Sequence, residues 1–173
     1  MKRSPTLIHL FVYGTLKRGQ SNHDACCRGM SRVREGSVPG ALYELPSGDP
    51  ILKVDAADIL AHGTANPLTD AAIQESFAGK APAPPPPADG PCAPNAPRRR
   101  IRGEILTFDD PEYRLPLMDE LEEFRAGKPS LYLRVLLPAQ TCDGASLAAW
   151  AYVCGPLAHE LRHVESDAWF PSP

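Results

Sequence analysis

Four acidic residues lie close together on a segment predicted to be a short helix: Asp119, Glu120, Glu122 and Glu123. Acids at this density are usually the solvated face of a helix. Glu122 differs from its neighbours because it lies next to Leu121 and flanks the predicted apolar stripe. A carboxylate half-buried against a core has a raised pKa, which suits proton transfer near neutral pH. Glu122 is therefore the candidate general acid or base.

Two glycines follow the first predicted strand, in the segment VYGTLKRG from Val12 to Gly19. Glycine lets a ligand approach the backbone closely, and successive N–H groups in such a turn can hold an anion. Gly14 and Gly19 have the spacing of a phosphate-binding loop, but Gln20 stands where that loop needs lysine. The nucleotide-binding interpretation therefore fails. An anion-binding loop and a plain strand-to-helix turn both stay open.

Two groups of residues have metal-ligand character. His159 and His163, in HELRH, match the H-E-x-x-H pattern that binds zinc from one face of a helix. The pattern is loose and its segment is polar, so we expect a surface turn or helix there, with a zinc hydrolase as an alternative. His23 with Cys26 and Cys27 is a second possible cluster, but it lacks a partner pair elsewhere. No metal is therefore predicted.

Most of the remaining chain is strand-like and supplies the scaffold for these residues. Five segments are β-branched and aromatic or alternate apolar with polar positions: 7–13, 40–45, 101–108, 131–137 and 148–154. One clear helix is predicted, with Pro116 in its first turn, a stripe of Leu117, Leu121 and Phe124, and Gly127 as a stop. This pattern favours an α+β fold, a small mixed β-barrel or curled sheet of five to six strands with a few surrounding helices.

Proline is unusually frequent, with 20 among 173 residues, which is more than twice the usual share. Residues 81–97 (APAPPPPADGPCAPNAP) favour extended, solvated conformations and can bury little apolar surface. Ahead of them, a short helix is predicted to begin at Pro67, with Gly79 as its stop. We therefore expect a single domain over residues 1–173, with residues 53–99 as a proline-rich surface insertion.

Charge and hydropathy exclude several classes of protein. The formal net charge of −3 argues against a protein that coats nucleic acid. No run approaches the ~20 apolar residues of a membrane helix, and the N-terminus lacks a signal-peptide pattern. Five cysteines form no C-x-x-C pair, which indicates a reducing compartment. We expect a cytoplasmic protein that binds neither nucleic acid nor membrane, as a monomer or homodimer.

Six motifs lie along the chain: LFVYGTLKRG (10–19) with Asn22-His23, PGALY (39–43), IRGEIL (101–106), MDELE (118–122), YLR (132–134) and AWAYV (149–153). In these motifs and their order the chain resembles the γ-glutamylcyclotransferase-like family, in particular its γ-glutamylamine cyclotransferase type. The chain departs from the family pattern at Glu123, where the family has glycine, at residues 48–52, and in the long segment 53–99.

The resemblance implies a small β-barrel and a reaction without a cofactor. In that reaction the α-amine of a γ-glutamyl group attacks its own γ-amide carbonyl, which yields 5-oxoproline and a free amine. The implied site residues are Glu122 as general acid and base and, for substrate binding, Tyr13, Gly14, Thr15, Leu16, Arg134 and Tyr152. For Arg134, a structural role in holding the strand is the alternative.

Two questions stay open after the resemblance is taken into account. A non-catalytic member of the same fold, which binds a γ-glutamyl-like or other small ligand, is the alternative to the enzyme. Within the enzyme interpretation, the released amine is an amino acid, an isopeptide lysine, a polyamine or a peptide such as glutathione. The expected partner is therefore a small γ-glutamyl compound.

Overall fold

The computed structural model describes residues 6–84 and 99–171. Its strands are β1 Ile8–Val12, β2 Arg32–Glu44, β3 Pro50–Lys53, β4 Ala61–His62, β5 Arg99–Phe108, β6 Tyr132–Thr141, β7 Ser146–Cys154 and β8 Arg162–His163. The helices are α1 His23–Cys26, α2 Pro67–Ser76 and α3 Pro111–Leu121, and a 3-10 turn covers Ala56–Asp58. All five predicted strands and the predicted helix at Pro67 are present. Of the described helices, none has the length and apolar character needed to cross a bilayer.

Five of the strands close into a mixed barrel, which confirms the predicted fold class. Around the barrel the order is β2, β5, β1, β7 and β6, and β6 returns to pair with β2 at Gly36 and Ser37. These pairings are antiparallel except between β1 and β7, where Leu10 pairs with Trp150 in parallel. Strands β3 and β8 pair with β2, and β4 pairs with β6, so these three strands extend the sheet beyond the barrel.

Strand β1 is buried on both faces and separates two layers of the core. Leu10 and Val12 belong to the layer between the barrel and the helices, together with Met118 of α3. Phe11 and Tyr13 belong to the second layer, in which side chains from all five barrel strands meet. Successive side chains of a strand lie on opposite faces, so one short strand can serve both layers. The loop that follows β1 therefore begins from a firmly held position.

Helix α3 begins and ends at other residues than the sequence predicts. It starts at Pro111, which takes the first-turn position that we assigned to Pro116. Both prolines suit a first turn, and the apolar pattern does not distinguish between them. Met118 is fully buried, whereas Leu121 is 37% exposed, so the stripe predicted through Leu121 is wrong. Because the helix ends at Leu121, Glu122 is its C-cap residue and does not lie on its face.

Residues 53–84 contribute to the fold, which corrects the prediction that they belong to a surface insertion. Strand β4 pairs with β6, and Asp70 of α2 is fully buried in an ion pair with Arg134. The sequence does not predict that α2 packs into the fold, because two of its three buried residues, Asp70 and Gln74, are polar. The proline-rich residues 85–98 lie outside the described residues.

Candidate active site

A cavity of about 250 Å³ opens at the end of β1, where the chain leaves the barrel. The loop after β1, the end of α3 and the first residues of β3 and β6 form its walls. Six of the seven predicted site residues line this cavity: Tyr13, Gly14, Thr15, Leu16, Glu122 and Tyr152. The structure therefore brings together residues that are more than a hundred positions apart in the sequence.

Glu122 lies in the wall of this cavity with its side chain partly buried. Its carboxylate forms no hydrogen bond or ion pair with any residue in the ranges 6–84 and 99–171. Burial, and secondly the negative charge of Asp49, raise the pKa of Glu122 to about 7. Near neutral pH both protonation states of such an acid are populated. It can therefore accept a proton and also return one.

The turn after α3 fixes the position of Glu122. The amide of Phe124 donates to the carbonyl of Asp119 at 2.8 Å. The amide of Glu123 donates to the carbonyl of Glu120 at 3.3 Å, and Glu123 itself has a φ of +54°. This pattern is a Schellman motif, which ends a helix with one left-handed residue and is anchored here by the buried Phe124 ring. Glu122 is the C-cap residue that this motif holds in place.

Replacing Glu123 with glycine is expected to stabilise the protein by about 1 kcal/mol, because a side chain on left-handed backbone costs roughly 1–2 kcal/mol. Glu123→Ala is the matched control: it removes the same carboxylate but keeps a Cβ, so it should gain little. Urea unfolding of both variants at pH 7 measures the difference. Equal gains in the two variants would assign the effect to lost charge and contradict the backbone explanation.

Two residues of the loop after β1, Thr15 and Leu16, line the cavity and have backbone N–H groups that are unpaired within the described residues. Among the described residues, none accepts a hydrogen bond from the amide of Thr15 or of Leu16. The turn is closed by the amide of Lys17, which donates to the Gly14 carbonyl at 3.1 Å. Asn22 also holds the turn, since its backbone N–H donates to the Thr15 carbonyl at 3.0 Å. Successive unpaired N–H groups can bind a carboxylate, which favours the anion-binding interpretation over a plain turn.

Side chains that the sequence suggested as metal ligands anchor this loop. The Nδ1 atom of His23 lies 2.8 Å from the carbonyl oxygen of Leu16, and the Cys27 thiol donates to the same oxygen at 3.6 Å. On the opposite side, a Cβ on Gly14 would lie 2.7 Å from Cγ of Pro50, so only glycine fits against β3. Two members of the possible metal cluster, His23 and Cys27, therefore support the loop.

Tyrosine rings complete the cavity wall, and their hydroxyl groups are engaged within the protein. The Tyr13 hydroxyl donates to the carbonyl of Tyr152 at 2.7 Å and accepts from the amide of Leu52 at 3.2 Å. The Tyr132 hydroxyl donates to the carbonyl of Pro50 at 3.0 Å. Burial raises the pKa of all three tyrosines above the usual range, which keeps the hydroxyls neutral. These residues supply apolar ring surface and a rigid wall.

The cavity lining also includes residues that were not among the predicted site residues, among them Asn22, Asp49 and Tyr132. Asn22 and Tyr132 lie within motifs that carried the family resemblance, so that signal was available. Asp49 lies in the stretch 48–52 that departs from the family pattern, and no periodicity singles it out. It reaches the cavity because β3 folds back on β2, with Pro50 opposite Glu44.

Arg134 is fully buried and does not line the cavity. Its Nη1 donates to both carboxylate oxygens of Asp119 at 2.8 Å, and its Nη2 donates to the carbonyl of Thr64 at 2.9 Å and pairs with Asp70. Asp119 also accepts a hydrogen bond from the Tyr152 hydroxyl at 2.7 Å. The geometry supports the structural alternative for Arg134 and does not support the predicted substrate contact.

The H-E-x-x-H pattern at residues 159–163 requires a helix, and this segment is not helical. Arg162 and His163 form β8, which pairs with β2, and Glu160 has a φ of +55°. The pattern places two histidines one turn apart on a helix face, whereas His159 and His163 lie on non-helical backbone. The expected surface turn or helix therefore ends in a short strand.

Comparisons with known proteins agree with this fold. An AIG2-like protein from Mus musculus has a similar solved structure, with a TM-score of 0.53 and 24% sequence identity over 92% of this chain and 87% of that chain. YkqA from Bacillus subtilis matches with a TM-score of 0.51 and 16% identity, over 94% of this chain and 39% of that chain. The search of curated proteins returned no match.

At these sequence identities, the similar solved structures show the fold alone. A match to a family model shows the family. A family model described as gamma-glutamyl cyclotransferase, AIG2-like, matches residues 10–75 and 87–171. The two matched ranges contain the loop after β1, Asp49, Glu122 and both strands that carry the cavity tyrosines. Because the match covers most of the chain, this protein belongs to the AIG2-like gamma-glutamyl cyclotransferase family.

Proposed function

We propose that this protein converts a γ-glutamyl amine or peptide into 5-oxoproline and a free amine, with Glu122 as the general acid and base. The observation that carries the proposal is the state of Glu122, a partly buried carboxylate with no partner among the described residues in the wall of a cavity. Burying an unpaired carboxylate opposes folding. Its presence there is accounted for if it transfers protons to and from a ligand.

The glutamyl half of the substrate has two charges, and the cavity offers a group for each of them. The α-carboxylate accepts hydrogen bonds from the unpaired amides of Thr15 and Leu16. The α-ammonium pairs with the carboxylate of Glu122. The rings of Tyr13 and Tyr132 limit the access of water to the reacting atoms. This binding mode bends the glutamyl chain and brings its two ends together.

The chemical step joins the two ends of the glutamyl unit. Glu122 takes a proton from the α-ammonium, and the resulting amine attacks the γ-carbonyl carbon to form the C–N bond of a five-membered ring. The original amide C–N bond breaks as Glu122 returns the proton to the leaving nitrogen. Two protons pass in turn from the α-nitrogen to the leaving nitrogen, so the amine departs as an ammonium ion. Atoms and charge balance without water or a co-reactant.

Much of the rate acceleration comes from holding the substrate in this bent conformation. The nucleophile and the electrophile belong to one molecule, and well-oriented intramolecular reactions reach effective molarities of ~10⁵ M or more. The protein therefore needs a rigid cavity and one proton carrier, and it needs no nucleophile of its own. The hydrogen-bonded tyrosines and the anchored loop after β1 supply that rigidity.

A screen of γ-glutamyl compounds for 5-oxoproline release, run with a chelator present, tests the proposal. The panel contains a γ-glutamyl amino acid, a γ-glutamyl isopeptide of lysine, a γ-glutamyl polyamine and glutathione. We expect at least one compound to give 5-oxoproline and amine in equal amounts. Calorimetric binding without any turnover would identify a non-catalytic ligand-binding protein. Turnover that the chelator abolishes would contradict the metal-independent mechanism.

We also propose that the protein works in the reducing environment of the cytoplasm. The support is the state of the cysteines in the described ranges, where Cys26, Cys27, Cys142 and Cys154 are all free thiols. Proteins of oxidising compartments usually pair their cysteines in disulfides.

A further inference from the structure

Among the described residues, all charged side chains that line the cavity are acidic. They are Asp49, Glu122 and Glu123, and no Lys, Arg or His of the described ranges lines it. Glu122 has its place in the proposed reaction, and Glu123 forms the Schellman turn. Asp49 has neither task, and its side chain is exposed to solvent. The cavity thus has a surplus of negative charge that the cyclisation itself does not use.

Asp49 is held in the turn between β2 and β3. Its carboxylate accepts a hydrogen bond from the Ser47 hydroxyl at 2.7 Å, and its carbonyl accepts one from the amide of Leu45 at 2.9 Å. Its negative charge acts on both Glu122 and Tyr132, whose pKa values it helps to raise. The carboxylate therefore lies beside the proton carrier and the tyrosine wall, at the solvent-facing rim of the cavity.

From this lining we infer that Asp49 selects the leaving amine: it favours γ-glutamyl substrates whose amine part carries a further positive charge and disfavours those whose amine part carries a carboxylate. The inference rests on the proposed function and names the class of amine. The loop amides and Glu122 already match the two charges of the glutamyl half, so the field of Asp49 acts on the leaving half. At a partly exposed rim, one unit charge changes binding by about tenfold in either direction.

Three amides whose amine parts each contain four carbon atoms test this inference. They are the γ-glutamyl amides of 1,4-diaminobutane, butylamine and 4-aminobutanoate, whose distal ends are cationic, neutral and anionic. We expect kcat/KM at pH 8.5 and low salt to fall in that order in the wild type, by about 100-fold in all. In Asp49→Asn the cation-to-anion ratio should fall to about tenfold or less. High salt should weaken the wild-type preference.

The variants separate charge selection from other effects of the substitution. Asparagine keeps an acceptor for the Ser47 hydroxyl, so the turn should be retained. Asp49→Asn also changes the acidity of Glu122, but that change cancels when substrates are compared within one variant. The matched control is Asp109→Asn, an exposed acid beside Phe108, which pairs with Ile8 at the far end of β1 from the cavity. It should keep the wild-type ratio.

The outcomes distinguish this inference from the proposed function. An unchanged ratio in Asp49→Asn overturns the inference, while turnover of any amide sustains the proposed function. If no amide is turned over, calorimetric binding of the three amides to the wild type and Asp49→Asn decides. If the wild type binds the cationic amide most tightly and Asp49→Asn loses this preference, charge selection is sustained and cyclisation is overturned. Equal affinities would overturn both.

Discussion

Replacing Glu122 with glutamine is expected to lower kcat for 5-oxoproline formation by about 10²–10⁴-fold, the usual contribution of a positioned general acid or base. Glutamine has nearly the same shape but cannot take the proton from the α-ammonium. The substrate should still bind, although without the ion pair between its α-ammonium and Glu122, because the loop amides and the tyrosine wall are unchanged. Steady-state assay of the released 5-oxoproline measures the loss. The control is Glu120→Gln, an exposed acid of α3 outside the cavity, which should keep full activity.

The same substitution has a stability effect that shows whether the variant is folded. Burial raises the pKa of Glu122 from 4.5 to about 7, so the folded state favours the protonated acid. The folded protein therefore loses stability as pH rises from 4.5 to 7, and the loss persists above pH 7. Glu122→Gln removes this loss. It should stabilise the protein at pH 8 by up to about 3 kcal/mol and have little effect at pH 4.

The pH dependence of kcat/KM in the wild-type protein should follow the titration of Glu122. Glu122 must be ionised to accept a proton, so kcat/KM should rise with pH through about 7. Asp49→Asn removes the second cause of the raised pKa and should move this limb to lower pH. A rising limb at pH 4 to 5 in the wild type, or a Glu122→Gln variant with full turnover, would remove Glu122 from the mechanism.

The sequence indicates two parts of the cavity, the loop after β1 and Glu122, because each part is formed by residues that are close together in the sequence. The loop at Gly14–Leu16 directly follows a buried strand, and Glu122 closely follows the last buried turn of α3. Local signals of this kind survive even when a helix boundary is misplaced, as it was between Pro111 and Pro116. The Schellman turn also shows what the departure at Glu123 means. Glu123 occupies the left-handed position of the turn, which favours glycine.

The residues that sequence reasoning missed depend on long-range pairing. Asp70 and Arg134 are 64 positions apart and meet only in the folded chain, in which α2 packs against α3. A polar helix with a buried acid has the sequence pattern of a solvated surface segment, which is why the sequence predicts that α2 belongs to a surface insertion. Asp49 reaches the cavity through the β2–β3 pairing, which periodicity within either strand does not reveal. Apolar periodicity predicts which faces are buried and does not identify buried polar partners.

The buried group around Arg134 leads to the largest expected effect on stability. Arg134 and Asp70 are both fully buried, and the guanidinium lies 5.2 Å and 5.5 Å from the centroids of the Phe124 and Trp150 rings. Arg134→Met leaves the Asp70 carboxylate buried without its counter-charge. Such a loss typically costs about 3–5 kcal/mol, a large part of the stability of a small domain. Urea unfolding at pH 7 measures it, and a variant that fails to fold agrees with the prediction.

A second variant and a surface control make the prediction specific. Asp70→Asn, added to Arg134→Met, removes the unpaired charge but keeps an acceptor for Thr64, so it should recover part of the lost stability. Arg162→Met breaks the exposed pair with Glu44 and should cost less than about 1 kcal/mol.

The folded double variant also decides between the two roles considered for Arg134. A substrate contact would raise KM by orders of magnitude when Arg134 is lost. A structural role predicts a KM within about threefold of the wild type, because the proposed carboxylate contacts at Thr15 and Leu16 do not involve Arg134. Restored stability together with a large rise in KM would therefore show that the guanidinium reaches the substrate, and would return Arg134 to the binding site.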